Sequence, residues 1–218
     1  MARLTMPAAG MSVAALILLT ACGGGGGDNG SDKIQTTQTS TPSRTPSATA
    51  SASASSGVQR PKITFPSYAK NVFEDQHTGD LKKDTVLADN AGWINSTDDA
   101  IFRGQGNSPA LYFYSGGTAL RSESDYVKSW VSSGDTWVGI TRYFDRKVTF
   151  LGDGSAAVIY CSDESKAYTK SGKTGKVDRS PATRNAYVLY NTRLVESKQG
   201  VWQTVDVTSK PGAEQCQP

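Results

Sequence analysis

The sequence predicts an α+β domain in which N-terminal helices pack on one face of an antiparallel sheet. Apolar residues recur at helical spacing between residues 66 and 134, and they alternate with polar residues from residue 148 onward. Glycine-containing turn signals separate the alternating stretches, which is typical of an antiparallel meander. Because the helical patterns come first and the strands follow, we expect the helices to lie together on one face of the sheet.

Three helices are expected in the first half of this region. Residues 66–79 predict a first helix, which proline and serine begin and a glycine ends. Residues 80–102 predict a second helix, although an internal glycine and an asparagine weaken its pattern. A third helix is expected to begin at Ser122, which with Asp125 resembles a capping box, and to end at Gly134.

Four strands are expected in the second half, and the first of them carries Val148 and Phe150. Gly152-Asp153-Gly154 is a turn signal between the first two, and Lys198-Gln199-Gly200 is the turn before the last. Alternation then predicts which side chains share a face along each strand. These are Ala157, Ile159 and Cys161, then Ala186, Val188, Tyr190, Thr192 and Leu194, and finally Val201, Val205 and Val207.

The N-terminus predicts an export signal at residues 1–21. Arg3 supplies a positive charge, and the apolar run at residues 11–19 is shorter than the roughly 20 residues that a membrane-spanning helix needs. Leu19-Thr20-Ala21-Cys22 resembles the lipobox of bacterial lipoproteins. The thiol of Cys22 is the nucleophile that such proteins use to take a diacylglyceryl group, and two acyl chains give stable anchoring. An ordinary secretory signal with an incidental cysteine is the alternative.

The sequence therefore divides into a lipoprotein signal peptide at 1–21, a lipidated cysteine with a tether at 22–60, and one globular domain at 61–218. The tether is rich in Gly, Ser, Thr, Ala and Pro, so it lacks the apolar residues of a core and is expected to be disordered. We expect the domain to be held by its lipid anchor at the extracytoplasmic face of the cell membrane.

The charge of the globular region argues against nucleic acid as a partner. Residues 61–218 contain 19 Lys and Arg and 18 Asp and Glu, so the region is nearly neutral. Lys166, Lys170, Lys173 and Lys176 form a local basic stretch, which is a candidate contact for anionic lipid headgroups or cell-wall polymer. The alternative is a solvated loop.

Cys161 and Cys216 are expected to form a disulfide. Thiols in exported domains lack the reducing systems of the cytosol, and lipidation of Cys22 leaves these two as a pair. A reactive thiol at Cys161 is the alternative, but neighbouring carboxylates would raise its pKa and weaken it as a nucleophile.

Asp163 and Glu164 are the candidate pocket carboxylates. They follow Cys161, and paired carboxylates can act as acid and base. In a regular strand, however, adjacent residues point to opposite faces, so the two side chains would not converge. His77 is the single histidine, and no second soft ligand accompanies it, so neither a metal site nor a cofactor is expected.

The domain also resembles a known group of proteins. The run Val158–Tyr168, the segment Thr174-Gly175-Lys176, the turn Gly200-Val201-Trp202 and the terminal Cys216 are similar to a group of actinobacterial lipoproteins of unknown function. That group is similar in layout to NTF2-like and SnoaL-like domains, over about residues 65 to 217. The resemblance implies a bent antiparallel sheet that wraps N-terminal helices into a cone, and such folds host both enzymes and binding domains.

Three functions follow as hypotheses. The first is a non-catalytic envelope domain that binds a small apolar ligand, a lipid or a protein, and the absence of a catalytic constellation in the sequence favours it. The second is an NTF2-like isomerase or dehydratase that uses a pocket carboxylate such as Asp163 or Glu164. The third is an accessory subunit of a cell-envelope complex that makes contact through the basic stretch at 166–184.

Overall fold

The computed structural model describes residues 57–218, so the predicted signal peptide, Cys22 and nearly all of the tether lie outside the described residues. Two short 3-10 helices accompany the main elements, at Arg184–Ala186 and Glu214–Cys216. The main elements in chain order are strand β1 (Ala69–Phe73), helices α1 (Leu81–Arg103), α2 (Pro109–Tyr114) and α3 (Gly117–Ser133), and strands β2 (Thr136–Phe150), β3 (Ala156–Lys170), β4 (Tyr187–Glu196) and β5 (Trp202–Pro211).

The five strands form one sheet in the order β1-β2-β3-β4-β5. Strands β2 to β5 are a purely antiparallel meander, as the turn signals predict, whereas β1 pairs with β2 in parallel. The predicted α+β architecture with helices packed on a sheet is therefore confirmed, but the sheet is mixed rather than wholly antiparallel. In the part of the chain from residue 57 onward, no helix is long and apolar enough to span a membrane.

The helix predicted at residues 66–79 is wrong, because strand β1 occupies its centre. Val72 and Phe73 are β-branched and aromatic residues that suit a strand, and all five residues of β1 pair with β2. The Asn71 side chain also links β1 to α1, because its Nδ2 donates a hydrogen bond to Oδ2 of Asp98 at 2.7 Å. Pairing with a neighbouring strand thus outweighs a short helical pattern.

Helix α1 matches the second predicted helix closely. The carboxylate of Asp80 accepts from the backbone N–H groups of Lys82 and Lys83, which caps the first turn. The helix continues through Gly92, where an added Cβ would lie 2.6 Å from the Tyr114 ring. A side chain at this position would collide with the Tyr114 ring, so Gly92 allows α2 to pack closely on α1. The helix is continuous through this glycine.

The third predicted helix begins earlier than expected. Helix α3 starts at Gly117, and Ser122 lies inside it, where its Oγ donates to the carbonyls of Thr118 and Ala119. The predicted capping box at Ser122 is therefore wrong, while the predicted end at Gly134 is confirmed by its left-handed backbone. The short helix α2, which begins with a proline at its first position, was not predicted.

Two bulges bend the hairpin of β2 and β3. Between the pairs Ile140↔Lys166 and Arg142↔Asp163, β3 carries one extra residue. Between the pairs Phe144↔Cys161 and Lys147↔Ile159, the extra residue is on β2, at the left-handed Asp145. Bulges strengthen twist and bend a strand, so the long hairpin curves toward the helices.

Ala157, Ile159 and Cys161 share one face of β3, as predicted, but the main core lies on the other face. Ala156, Val158 and Tyr160 are buried in the main core, whereas Ile159 is 43% exposed on the other face. A shift of one residue exchanges the two faces of a strand, and short alternating runs of apolar residues leave that choice open. On β4, by contrast, the shared face predicted from alternation includes the buried residues Val188, Thr192 and Leu194.

The main core lies between α1 and the concave face of the sheet. The chain joins this core already from Val58, and Arg60 forms a 2.6 Å ion pair with the buried Asp89 of α1. The backbone N–H of Trp202 donates to the other oxygen of Asp89 at 2.9 Å, so β5 is held to the same carboxylate. The fully or largely buried apolar members of this core are Val86, Leu87, Trp93, Ile94, Tyr114, Tyr143, Ala156, Val158, Tyr160, Leu194, Val201 and Trp202.

Candidate ligand-binding cavity

A cavity of about 700 Å³ lies between helices α1 and α3 and the concave face of the sheet. Its size is in the range that holds a drug-sized molecule. Side chains from both helices, from strands β2 to β5 and from the loop before β4 form its wall. They are Trp93, Ile94, Thr97, Asp98, Ser122, Glu123, Tyr126, Trp130, Trp137, Thr141, Tyr143, Tyr160, Glu164, Ser165, Ala167, Tyr168, Thr169, Asp178, Ser180, Ala182, Ala186, Tyr190, Val207 and Ser209.

The β3 bulge decides which residues of that strand line the cavity. Before the bulge, the cavity-facing positions are even-numbered, with Tyr160 and Glu164 in the lining. After it, the odd-numbered Ser165, Ala167 and Thr169 line the cavity, and Tyr168 also contributes to the wall. An extra residue reverses the alternation of a strand, so Glu164 and Ser165 both reach the cavity despite being neighbours.

Aromatic rings cover much of the wall. Tyr143, Tyr160 and Tyr190 lie on the adjacent strands β2, β3 and β4, and Tyr160 and Tyr190 are directly paired and stacked with 5.1 Å between ring centroids. Tyr143 meets Tyr160 edge-on at 6.0 Å. Trp130 of α3 and Trp137 of β2 line the cavity from other sides. The cavity therefore offers several ring faces to an apolar or cationic group.

Both oxygens of Asp98, a carboxyl group of the wall, accept hydrogen bonds. Its Oδ1 accepts from the indole Nε1–H of Trp137 at 3.0 Å, and its Oδ2 accepts from Asn71. Burial and, to a smaller extent, the charges of Glu123 and Glu164 together raise the pKa of Asp98 to about 7, against the effect of these two donors. Asp98 therefore changes its charge near neutral pH, and the two donors fix its orientation.

Glu123 of α3 has a similar environment with fewer hydrogen bonds. Burial raises its pKa to about 7, and the one opposing influence is the hydrogen bond that Thr97 Oγ1 donates to its Oε2 at 3.1 Å. Among the described residues, no hydrogen-bond donor occupies Oε1 of Glu123. This oxygen is thus available to a molecule in the cavity.

The two sequence-predicted pocket residues are separated by the sheet. Glu164 lines the cavity, where Ser162 Oγ donates to its Oε1 at 2.9 Å, and burial raises the pKa of Glu164. Asp163 is outside the lining, and its carboxylate lies 3.8 Å from the guanidinium of Arg142. The structure therefore brings Glu164 together with Asp98 and Glu123 rather than with Asp163.

Exposed lining residues mark the mouth of the cavity. Tyr126 of α3 is 50% exposed, and Asp178, Ser180 and Ala182 are exposed residues of the loop before β4. Asp178 caps a tight turn of that loop by accepting from the N–H and the hydroxyl of Ser180, which lowers the pKa of Asp178. A molecule from solvent would enter between this loop and α3.

Arg146 is a buried cation that does not line the cavity. Its Nη2 donates to the carbonyl of Leu87 at 2.7 Å and to Oδ1 of Asn90 at 3.2 Å. Its guanidinium lies 5.1 Å from the centre of the Phe73 ring. Burial lowers the pKa of Arg146 to about 10, which keeps it charged at neutral pH, and its role is to join β2 to α1.

The sulfur atoms of Cys161 and Cys216 are at disulfide distance, with 5.4 Å between the two Cα atoms. The bridge lies on the face of the sheet away from the cavity, in a small cluster with Ala213 and the rings of Phe144 and Tyr187. The C-terminal 3-10 helix is thereby tied to β3. The cysteines take no part in the cavity.

The basic residues of the predicted anionic contact lie along the end of β3 and its turn. Lys166, Lys173 and Lys176 are exposed, whereas Lys170 is half-buried with its ammonium 5.2 Å from the centre of the Tyr68 ring. The turn is closed by a hydrogen bond from Ser171 N to the carbonyl of Lys176. None of these four lysines lines the cavity.

Asp98 and Glu123, two central carboxyl groups of the cavity, were missed by the sequence analysis. A signal was present, because Asp98 lies on the same helical face as Ile94, four residues before it, and Ile101, three residues after it. A carboxylate on the apolar face of a helix is a candidate for a buried functional group. Within residues 57–218, no group of three or more His, Cys, Asp or Glu side chains is arranged to hold a metal ion.

No protein-family model matches the chain, and no curated protein sequence matches it. Among solved structures, similarity extends to a ketosteroid isomerase-like protein from Erwinia carotovora atroseptica, with 15% identity, a TM-score of 0.40, and coverage of 59% of this chain and 95% of that one. The intermembrane space region of the chloroplast protein ARC6 is similar at 13% identity and a TM-score of 0.37, with coverage of 58% and 95%. A Shewanella frigidimarina protein grouped with the ketosteroid isomerases follows at 13% identity and a TM-score of 0.29, with coverage of 57% and 97%.

Proposed function

We propose that this chain is a lipid-anchored, extracytoplasmic lipoprotein whose NTF2-like domain binds a small molecule in the cavity between its helices and its sheet. One observation carries the proposal, namely a cavity of about 700 Å³ whose wall combines aromatic rings with a few oriented polar groups. Small-molecule sites in proteins have this composition. Rings supply contact area, and the carboxyl groups supply orientation.

The polar and aromatic side chains of the cavity wall are already held in place before a ligand binds. Asp98 is held by donors on β1 and β2, Glu164 is held by Ser162, and Tyr160 is stacked on Tyr190. Groups that are already fixed lose little conformational freedom on binding, which favours affinity.

The anchoring part of the proposal rests on the sequence. Leu19-Thr20-Ala21-Cys22 follows a short apolar run, and the Gly- and Ser-rich tether that follows separates the anchor from the domain. The paired cysteines on β3 and in the C-terminal 3-10 helix suit an oxidising compartment. A ligand site at the outer face of a membrane would meet molecules of the envelope or of the medium.

Native mass spectrometry of the full chain, purified from its membrane in detergent, tests the binding function. Ala167 lines the cavity and Ala157 lies on the same strand outside it, so Ala167→Trp and Ala157→Trp are a matched pair. We expect a co-purifying small molecule on the wild-type chain and on Ala157→Trp, and its loss from Ala167→Trp. Equal occupancy in Ala167→Trp, or no bound molecule in any preparation, would overturn the proposal.

A second candidate function is proton-transfer catalysis in the same cavity. The observation that favours it is the pair of carboxyl groups, Asp98 and Glu123, whose pKa values are raised to about 7. A general acid or base is most effective when its pKa is near the working pH. In this candidate, Asp98 and Glu123 replace Asp163 of the sequence-based hypothesis.

Isomerisation of the unconjugated ketone cyclohex-3-enone to its conjugated isomer is a direct assay, because the product absorbs in the ultraviolet. If the cavity is catalytic, the full chain accelerates this reaction and Asp98→Asn abolishes the acceleration. Asp163→Asn is the matched control, since that carboxylate lies on the outer face. No acceleration by the wild-type chain would leave binding as the function.

A further inference from the structure

The charged side chains of the described cavity wall are all acidic. Among the described residues that line it are four carboxyl groups and no lysine, arginine or histidine. The wall also includes three tryptophans and five tyrosines. Basic side chains are not rare in this domain, so their absence from the wall marks the cavity as distinct from the surface around it.

We infer that the ligand of this cavity is an organic cation, with a protonated amine or quaternary ammonium group attached to an aromatic or alkyl body. The inference rests on the proposed binding function and names its ligand class. A cation is attracted both to carboxylates and to the faces of Trp and Tyr rings, and the attraction grows where water is excluded. An anionic ligand would meet four carboxyl groups without a counter-charge.

Two carboxyl groups are placed to meet the ammonium group. Asp98 is already engaged by donors at both oxygens. Glu123 accepts at Oε2 from Thr97, and Glu164 accepts at Oε1 from Ser162. Oε1 of Glu123 is therefore the oxygen left for a ligand, whereas Glu164 also takes a hydrogen bond from Tyr190 and adds its charge from β3.

The aromatic rings that would surround the cation lie on α3 and on the sheet, as Glu123 and Glu164 do. Tyr126 and Trp130 are one turn apart on α3, with 6.2 Å between ring centroids. The stacked Tyr160 and Tyr190 face them from the sheet. Rings and carboxylates are thus interleaved rather than separated into two regions.

The wall also contains an unsatisfied polar group. Trp93 is 3% exposed and lines the cavity, and its indole N–H has no acceptor among the described residues. An unpaired buried donor is costly, and such groups are rare unless a ligand or water completes them. An acceptor atom that reaches this N–H, from a ligand or from a water molecule, would satisfy it.

Benzyltrimethylammonium and its uncharged carbon isostere neopentylbenzene separate charge from shape. We expect the full chain to bind the cation at least about tenfold more tightly than the isostere at pH 8, as measured by isothermal titration calorimetry. Glu123→Gln and Glu164→Gln should each weaken binding of the cation about tenfold and leave the isostere unchanged. Asp163→Asn, the neighbour of Glu164 on the outer face, should change neither.

A second readout is the release of protons. The three carboxyl groups Asp98, Glu123 and Glu164 have raised pKa values, so a bound cation should drive them toward the ionised form and release protons to the buffer. Titrations in buffers of different ionisation enthalpy measure that release. The isostere should release none.

The outcomes separate this inference from the proposed function. Equal affinity for cation and isostere, with no effect of Glu123→Gln or Glu164→Gln, would overturn the cationic ligand and leave a cavity that binds apolar molecules. Binding of neither probe would overturn the cationic ligand as well, and a co-purifying molecule that depends on an open cavity would still support the binding function.

Discussion

The indole Nε1–H of Trp137 donates a hydrogen bond of 3.0 Å to Oδ1 of Asp98, and this bond joins strand β2 to helix α1 at the wall of the cavity. Asn71 of β1 donates to the other oxygen of the same carboxyl group. One acidic side chain thus connects three elements and also faces the ligand space. The charge on Asp98 therefore affects both the contacts among these three elements and the electrostatics of the cavity.

Removal of the indole N–H donor of Trp137 should change the pKa of Asp98. Trp137→Phe keeps a ring beside Phe102 but removes the N–H, so the ionised form of Asp98 loses a partner and its pKa should rise above about 7. Carbon-13 NMR of the carboxyl groups measures the shift. Trp130→Phe, which lines the cavity without bonding to Asp98, is the control, and an unchanged or lowered pKa in Trp137→Phe would contradict the account.

Stability should fall as the pH rises from about 4.5 to about 7. Glu123 has a folded pKa of about 7 against 4.5 for an unperturbed glutamate, so the folded state binds more protons than the unfolded state in this window. Each unit of raised pKa is worth about 1.4 kcal/mol, less where solvent enters the cavity. Urea unfolding of wild-type and Glu123→Gln chains at pH 5 and pH 8 measures the effect.

The variant should therefore gain stability relative to the wild-type chain between pH 5 and pH 8, since it lacks a group that must ionise inside the cavity. A difference in unfolding free energy that is the same at both pH values would show that Glu123 has no raised pKa.

Loss of the disulfide should destabilise the domain without changing ligand binding. Cys161 and Cys216 are 55 positions apart, and closure of such a loop in the unfolded chain is worth about 4 kcal/mol by loop entropy. Cys161→Ser combined with Cys216→Ser should lower the free energy of unfolding by up to this amount. Chemical denaturation checks the stability, and probe titration checks the cavity, which lies on the other face of the sheet. A loss of binding at full folding would contradict this separation.

Membrane attachment should depend on one thiol outside the described residues. In the wild-type chain, we expect the mature protein to begin at Cys22 with a mass that includes a diacylglyceryl group, and to fractionate with membranes. Cys22→Ala removes the nucleophile and should move the domain to the soluble fraction. Mass spectrometry of the N-terminal peptide decides the question, and a mature chain that starts elsewhere or lacks acyl groups would overturn the anchoring proposal.

Long periodic patterns in the sequence predicted their elements well. Residues 80–102 predicted α1 within one residue at each end, and the turn signals around Gly152 and Gly200 predicted the hairpins of the meander. These features are local, because caps, turns and alternation depend on neighbouring residues. The α+β class followed from their order.

Features that depend on distant partners were not predicted. Strand β1 exists because β2 pairs with it, and the face of β3 that carries Tyr160 is set by packing against α1 rather than by its own alternation. The bulge beside Glu164 reverses that alternation again, so the separation of Glu164 from Asp163 was expected from strand geometry, but the approach to Asp98 and Glu123 was not. These three carboxyl groups lie on three different elements, and no spacing in the sequence joins them.

The indole NMR spectrum tests the central claim most directly, because the four tryptophans divide into cavity and core. Trp93, Trp130 and Trp137 line the cavity, whereas Trp202 is buried beneath Phe150 and outside the lining. Addition of benzyltrimethylammonium or neopentylbenzene to the full chain should shift the three cavity indole signals and leave that of Trp202 in place. Signals of the three cavity indoles that do not move with either probe, or a Trp202 signal that moves as far as they do, would contradict a ligand site between the helices and the sheet.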